Sequence, residues 1–382
     1  ELELHQFRGR VNLTTQIVDS LKANGIALSS EDEAELENIA KDSVYDVAKL
    51  NKYTSFIGNI MAARISSLWD FNGPAFTVSA EENSVFKCLD LAQNLLGTSD
   101  VDAVVVAAVD LSGSLENVML RQQMNPLNTA DHSMGFNESV NGWSVGEGAG
   151  AVVLKRSVDA VSENQRTYCQ IDGIGFSAGS DASAVANASV IALNQAGKVA
   201  TDIGYIEAFA SGNLHEDQQE IAGLKAVYHS ADNDEDNNEK ITAIGSVKAN
   251  IGHTFSASGM ASLIKTALCL KNRYIPGVPN WQAPADRQVW DSSCFYVQNE
   301  SKNWLTENRR CASISGLGAD DTAAHIVLSE CSQLSQTESL EDSKLNAEDS
   351  STLVLIQAGS QEQLVAALIQ CESRISELSL RH

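Results

Sequence analysis

Long apolar runs are missing from this sequence of 382 residues, because no eighteen consecutive apolar residues occur. A membrane-spanning helix is therefore not predicted. The opening residues, ELELHQFRGR, have no signal-peptide character. Prolines number only 5 and aromatic residues make up 6%, whereas 43% of the residues are hydrophobic and 25 are Gly. This composition is typical of an α/β protein with a large core and more than one compact unit.

Basic residues are also scarce, since 26 Lys and Arg stand against 50 Asp and Glu, giving a net charge of −24. This balance excludes nucleic acid as a favourable partner, because phosphate binding needs clustered Lys and Arg. Seven cysteines are scattered without CxxC spacing, mostly among apolar residues. We expect reduced, packed thiols in a cytoplasmic protein, with no disulfide framework, no metal site and no cofactor.

The stretch at residues 73–92, GPAFTVSAEENSVFKCLDLA, organises the rest of the chain. Its pattern of apolar and polar residues predicts a strand at 76–78, a polar corner at 79–84 and a helix from Val85. Enzymes of the α/β class present nucleophiles at such corners, because helix amides stabilise an anion there. This corner holds carboxylates and no cysteine. An ordinary helix N-cap is the alternative interpretation.

Further strands and helices are predicted from hydrophobic periodicity along the chain. ELELH reads as an edge strand, residues 55–70 as an amphipathic helix, and 101–108 as a fully buried strand. The later elements are strands at 149–154, 203–208, 241–247, 294–297, 312–315 and 324–328, and a helix at 256–270.

Two loop motifs do not indicate ligands. The glycines of GWSVGEGAG precede a strand instead of a helix, which argues against nucleotide binding. The acidic run at 232–239 lacks the central glycine of a calcium loop and reads as an exposed loop. Residues 332–351 read as an acidic linker, and residues 352–382 as one strand and helix that open a further module.

Four blocks together resemble the β-ketoacyl synthase family of thiolase-fold condensing enzymes. They are residues 59–91 with GPAF, GWSVGEGAGAVVLKR, SVKANIGHTFSASGMASLIK, and residues 313–328. The resemblance implies a layered αβαβα fold of two similar βα halves, at 1–156 and 157–331. Because family domains normally start well before ELELHQ, it also implies that the first half lacks N-terminal elements. We expect a fragment that is not stable alone.

Family members use a cysteine nucleophile, two histidines, a lysine and a glycine-rich oxyanion loop. By position, Glu82 replaces the cysteine and Phe209 the first histidine, while Lys248 and His253 are retained. The loop becomes Gly318, Ala319, Asp320 and Asp321. The two aspartates should stop the backbone from reaching positive φ. These losses imply a chain that does not condense acyl units. His253 is then a buried relic or shapes a pocket, whereas His215 and His325 read as structural.

An inactive family member paired with an active synthase is a chain-length factor, whose interface closes the floor of its partner's acyl tunnel. The chain is similar to the chain-length-factor domain of bacterial polyunsaturated-fatty-acid synthases. The resemblance implies a pseudo-two-fold dimer with an active ketosynthase, while acyl carrier protein docks on that partner. The segment expected to pair across the axis is Phe76, Thr77, Val78, Ser79 and Ala80. The alternatives are a malonyl-carrier-protein decarboxylase, a chain-length factor of a glycolipid or polyketide synthase, and a purely structural scaffold.

Overall fold

The computed structural model describes residues 2–44, 58–123, 125–228, 241–306 and 308–331, together with single positions between 360 and 366. The chain divides into two compact units, residues 1–331 and 332–382. The expectations for the acidic run at 232–239, for the linker at 332–351 and for most of 352–382 lie outside the described residues. All structural statements below concern the first unit.

The described helices are given in two groups along the chain, those before residue 70 and those that follow it. The first group comprises α1 (Leu2–Ala23), α2 (Ser30–Val44) and α3 (Gly58–Trp69). The second group contains α4 (Ser84–Gly97), α5 (Leu115–Gln122), α6 (Ser157–Ser162), α7 (Ala182–Ala196), α8 (Leu214–Tyr228), α9 (Lys248–Ile251), α10 (Ser258–Asn272) and α11 (Arg287–Asp291). None of the described helices is long and apolar enough to cross a membrane.

The strands form one large mixed sheet and two small ribbons. In chain order they are β1 (Ala103–Asp110), β2 (Gly148–Lys155), β3 (Gln170–Ala178), β4 (Ile203–Glu207), β5 (Thr242–Gly245), β6 (Tyr274–Ile275), β7 (Phe295–Val297), β8 (Lys302–Asn303), β9 (Cys311–Gly318) and β10 (Thr322–Ser329). The large sheet has the order β3-β10-β9-β4-β5-β7, while β1 pairs with β2 and β6 with β8. Strand β10 is antiparallel to both neighbours, and β4 is parallel to β9 and β5.

Helices cover both faces of the large sheet. On one face α7 packs against β3 and β10, and α8 packs against α7. On the other face α4 and α10 lie between the large sheet and the β1–β2 ribbon. Two hydrophobic clusters fill these layers, one centred on Ile206 and Leu224 and the other on Phe86 and Ile314. The layered α/β fold expected from the sequence is confirmed.

Helix α7 shows how local sequence fixes a layer. Asp181 caps its first turn by accepting a hydrogen bond from the Ala184 amide at 2.8 Å. Gly197 ends the helix with a φ of 60°, a left-handed conformation that glycine adopts without strain. The helix also lies unusually close to β3, because a Cβ on Gly175 would meet the Ala188 carbonyl oxygen at 2.1 Å. Glycine in β3 is therefore required by packing.

Three predictions made from local pattern are wrong. ELELH begins α1 instead of a strand. Residues 76–78 have no regular secondary structure and belong to no strand of the described residues, because no neighbouring segment pairs with them. The apolar run of β1 is not fully buried, since Val105 and Val109 are 44% and 47% exposed on the face away from α4. A continuous apolar run thus reflects one packed face and one open apolar face.

Candidate functional site

The residues singled out from the sequence converge at one edge of the large sheet. Strands β4, β5 and β9 are parallel and end at this edge, at Glu207, Gly245 and Gly318. A 3₁₀ turn, Glu81–Asn83, leads into α4 and packs against β9 and β10 at the same place. The carboxyl edge of a parallel sheet is the usual position for a ligand site in α/β folds.

Glu82 lies directly opposite the turn that joins β9 to β10. Its carboxylate oxygen Oε2 accepts a hydrogen bond from the Ala319 backbone amide at 2.9 Å. The neighbouring Asn83 is completely buried and donates from Nδ2 to the Thr322 carbonyl oxygen at 2.9 Å. The side chains of the 3₁₀ turn therefore tie the start of α4 to the β9–β10 turn. The Ala319 amide is occupied by a carboxylate of the same chain.

The β9–β10 turn, residues 318–321, corrects one expectation about its backbone. Asp321 has a φ of 58°, so aspartate does not prevent the left-handed conformation here. Aspartate tolerates this region better than most residues because its short side chain bonds locally. The Asp321 carboxylate accepts a hydrogen bond from Ser180 Oγ at 2.9 Å, and its carbonyl accepts one from the Gly179 amide at 2.8 Å. The turn therefore combines a left-handed backbone at Asp321 with two exposed carboxylates, those of Asp320 and Asp321.

Phe209 follows β4 and is held by a buried carboxylate. Glu220 of α8 accepts hydrogen bonds from the amides of Phe209 and Ala210, at 2.7 and 2.8 Å. Burial raises the pKa of Glu220, while these two amides and Ser315 act in the opposite direction. The Phe209 ring, only 5% exposed, therefore has a fixed position. It offers no group that could donate or accept a proton.

Lys248 and His253 both contact the Phe209 ring. The Lys248 ammonium is 4.2 Å from the ring centroid, and the His253 ring stands nearly perpendicular to it at 5.4 Å. Burial lowers the pKa of Lys248 to about 8, although nearby carboxylates, including Glu207, Glu220 and Glu82, oppose the shift. The structure thus brings together four of the residues that the sequence analysis assigned to one site.

His253 is neutral in this setting. Burial lowers its pKa well below the usual range, and the charges of Lys248 and Arg121 add to the effect. Its Nδ1 accepts a hydrogen bond from the Phe255 amide at 3.0 Å, so the single proton is assigned to Nε2. The ring also stacks on Phe255, with centroids 4.4 Å apart. His253 is therefore a neutral imidazole whose orientation is fixed on two sides.

Glu207 belongs to no motif that marks it as a site residue in the sequence, yet its hydrogen bonds connect the segments around the site. Its carboxylate is fully buried and accepts hydrogen bonds from Lys265 Nζ at 2.7 Å and Tyr205 Oη at 2.6 Å. Its other oxygen accepts the Val247 amide at 2.6 Å, immediately before Lys248. The end of β4 is in this way fixed to the segment that carries Lys248. Buried charges need such pairing.

Asp217 and Glu220 were also missed. Both lie on α8, where acidic residues in a polar helix give no local sign of burial. Burial first, and the charge of Glu220 second, raise the pKa of Asp217 well above its usual value. Only the tertiary packing of α8 under residues 208–212 distinguishes these carboxylates from surface acids.

The remaining histidines and the cysteines carry no cluster that could hold a metal ion within the described part of the chain. His215 is exposed at the start of α8. His325 is buried in β10, where its Nε2 lies 2.8 Å from Tyr228 Oη and burial lowers its pKa to about 3. The cysteines of the described ranges are reduced thiols, namely Cys88, Cys169, Cys269, Cys294, Cys311 and Cys331.

Comparison with known proteins agrees with this geometry. The β-ketoacyl synthase N-terminal domain model matches residues 16–160, and the C-terminal domain model matches residues 168–282. The chain belongs to the β-ketoacyl synthase family and is a ketosynthase-like domain of thiolase-like fold.

Within the family, a solved structure of PfaC keto synthase–chain length factor is 48% identical over 87% of this chain, with a TM-score of 0.66. A polyunsaturated fatty acid synthase polypeptide of Thraustochytrium sp. is 32% identical over 98% of this chain. A ketosynthase from module 6 of the bacillaene synthase of Bacillus subtilis is 27% identical over 84%, with a TM-score of 0.65. The chain spans 31%, 18% and 56% of these three chains, respectively.

Proposed function

We propose that this chain is a non-catalytic ketosynthase-like domain, a chain-length factor that pairs with an active β-ketoacyl synthase in polyunsaturated fatty acid biosynthesis. The observation that carries the proposal is the hydrogen bond from the Ala319 amide to the Glu82 carboxylate. This hydrogen bond joins the residue at the nucleophile position to the loop that supplies the oxyanion donor, and a condensing enzyme needs both groups free.

The geometry opposes each step of a condensation. Glu82 has no thiol to accept an acyl group, and a carboxylate does not form the stable thioester of a thiolate. The Ala319 amide donates to Glu82, so it is not free to hold a developing oxyanion. Phe209 contributes an apolar ring where the family pattern places a histidine. The similarity to a structure described as a keto synthase–chain length factor supports the same conclusion.

The segment from Phe76 to Ala80 is the proposed contact with the active partner. It has no regular secondary structure, it pairs with no strand of the described residues, and Phe76 is 43% exposed. In the described ranges Thr77 is bonded to α3, the Ala80 amide donates to Ser84 Oγ, and the Ala80 carbonyl accepts a hydrogen bond from the Asn83 amide at 2.9 Å. An extended segment with free backbone groups can pair with an equivalent segment of a second subunit. Bulky side chains beside such a contact would then set the length of the partner's acyl tunnel.

The test is reconstitution with the active ketosynthase, acyl carrier protein and malonyl units, with the length of the acyl product as the readout. Glu82→Ala should leave the rate of condensation within about twofold, since ΔG‡ would change by less than about 0.5 kcal/mol. Replacing the partner's nucleophilic cysteine by alanine should abolish condensation. Covalent trapping of an acyl group on this chain, or condensation by this chain alone, would refute the proposal.

A malonyl decarboxylase is the second candidate, and the neutral His253 is the observation that favours it. An imidazole with its proton on Nε2 can donate to an enolate that forms when a malonyl group loses carbon dioxide. The charge of Glu82 opposes this function, because it would repel the malonyl carboxylate. Purified protein mixed with malonyl-carrier protein distinguishes the two candidates. Rapid release of acetyl-carrier protein that His253→Ala abolishes would establish the decarboxylase and reject the non-catalytic role.

A further inference from the structure

A cavity lies at the edge of the large sheet opposite the candidate site, where β4, β5 and β9 begin. Its volume is about 620 Å³. We call it the amino-edge cleft and define it by Lys198, Ile203, Tyr296, Lys302, Trp304 and Arg309, which all line it. The residues of the candidate site lie at the carboxyl ends of the same strands and do not contribute to this lining.

Cations dominate the lining of the amino-edge cleft, although the whole chain has a net charge of −24. Lys198, Lys302 and Arg309 form no ion pair with any carboxylate in the described ranges of the chain. Arg309 is held in place by its Nε, which donates to the Glu330 carbonyl oxygen at 2.7 Å, and by its Nη2, which donates to Gln170 Oε1 at 3.3 Å. Arg310, by contrast, is neutralised by Glu330 at 3.0 Å. Asp202 is the one described acidic residue of the lining, and its carboxylate accepts the Val199 amide at 3.0 Å. Among the described residues of the lining, positive charge is therefore in excess.

Apolar side chains form the other part of the lining. Ile203 and Trp304 are 1% and 6% exposed and belong to the sheet and its covering loop. Gly204 makes room for Trp304, because a Cβ at that position would lie 3.0 Å from the indole ring. Tyr296 is half-buried, with Lys302 Nζ 4.8 Å from its ring centroid. The accessible apolar surface is supplied by Tyr296 together with Ile241 and Leu305, which also line the cleft and are 42% and 59% exposed. The nearly buried Ile203 and Trp304 lie behind it.

We propose that the amino-edge cleft binds a small molecule that carries a phosphate group on an organic body. Three cations without carboxylate partners in the described ranges recognise the phosphate, with the ammonium groups of Lys198 and Lys302 beside the positive charge of the oriented Arg309 guanidinium. The apolar surface of Tyr296, Ile241 and Leu305 contacts the organic body. A volume of about 620 Å³ lies within the range of small-molecule sites. This site is separate from the chain-length function and does not depend on it.

The experiment is calorimetric titration of the purified protein with ADP, 4′-phosphopantetheine and inorganic pyrophosphate. We expect saturable binding of ADP or of phosphopantetheine in the micromolar range, and the stronger of the two identifies the organic body. The double variant Lys302→Ala/Arg309→Ala should bind at least about tenfold more weakly, because it loses two charge-assisted contacts. Increasing salt should weaken binding as well.

The matched control is Arg287→Ala, which removes an exposed arginine that pairs with Glu138 at 3.3 Å, away from the cleft. Its affinity should equal that of the unmodified protein, and circular dichroism should show that all variants are folded. Three results would overturn the proposal: no saturable binding of an organic phosphate, binding of pyrophosphate only, or undiminished binding by the folded double variant.

Discussion

Glu207→Gln should be among the most destabilising single substitutions in the chain. The carboxylate is completely buried, and the Lys265 ammonium 2.7 Å away belongs to a side chain that is only 15% exposed. Glutamine keeps the size of the side chain but removes the charge that neutralises Lys265. Leaving one member of a buried ion pair alone costs about 3 to 5 kcal/mol. The hydrogen bond from the Val247 amide can persist, so the effect reports the ion pair.

The measurement is the free energy of unfolding in urea, supported by the midpoint of thermal unfolding. For a chain of this size the loss corresponds to a midpoint lower by about 4 to 8 °C. Combining Glu207→Gln with Lys265→Met removes both charges and should recover at least about 1 kcal/mol of the loss. Glu138→Gln is the control, because its exposed pair with Arg287 contributes about 0 to 1 kcal/mol. A loss below about 1 kcal/mol for Glu207→Gln, or no recovery in the double variant, would refute the reasoning.

Three further predictions concern pH, packing and association. Because the pKa of Asp217 is raised on folding, the folded state binds this proton more tightly, and stability should fall as pH rises above about 4. Asp217→Asn should therefore gain stability relative to the unmodified protein by up to about 1.4 kcal/mol per pH unit, as measured by urea unfolding across pH, whereas exposed Asp131→Asn should not. Gly175→Ala should cost about 3 kcal/mol or more in thermal unfolding, because its Cβ would meet a carbonyl of α7 at 2.1 Å, while Gly97→Ala meets no atom and should be nearly neutral. Phe76→Ala should weaken association with the active ketosynthase by about tenfold or more in ultracentrifugation, and unchanged association would contradict the interface placed at residues 76–80.

The second half of the fold was predictable because its signals are local. Strands with short apolar runs, such as β4 and β5, were identified to within a few residues, and so was α10. The failures have a different origin. Residues 76–78 have the composition of a strand, but a strand requires a hydrogen-bonded neighbour that composition does not specify. In the same way, alternation of exposure along β1 depends on what covers each face.

The site was predictable only where a motif carried it. Glu82, Lys248 and His253 follow from spacing within the family blocks, and Phe209 follows from the match of Glu207 and Ala208 in YIEAFASGN. The supporting carboxylates do not, because Glu207, Asp217 and Glu220 look like ordinary acidic residues until packing buries them. The left-handed backbone at Asp321 was predicted wrongly for a similar reason. Its contacts with Ser180 and Gly179 come from a segment that is distant in sequence.

The order of strands in the large sheet also determines when this half of the domain can be finished during synthesis. Strands β3 and β4 are translated first, yet β10 and β9 separate them in the sheet. Ser329 pairs with Gln170, and pairing across such a long stretch of chain closes slowly. Until the final hairpin enters the gap, a nascent polypeptide exposes two unfinished edges. Chaperone binding at that stage would cover these unpaired strand edges and prevent aggregation.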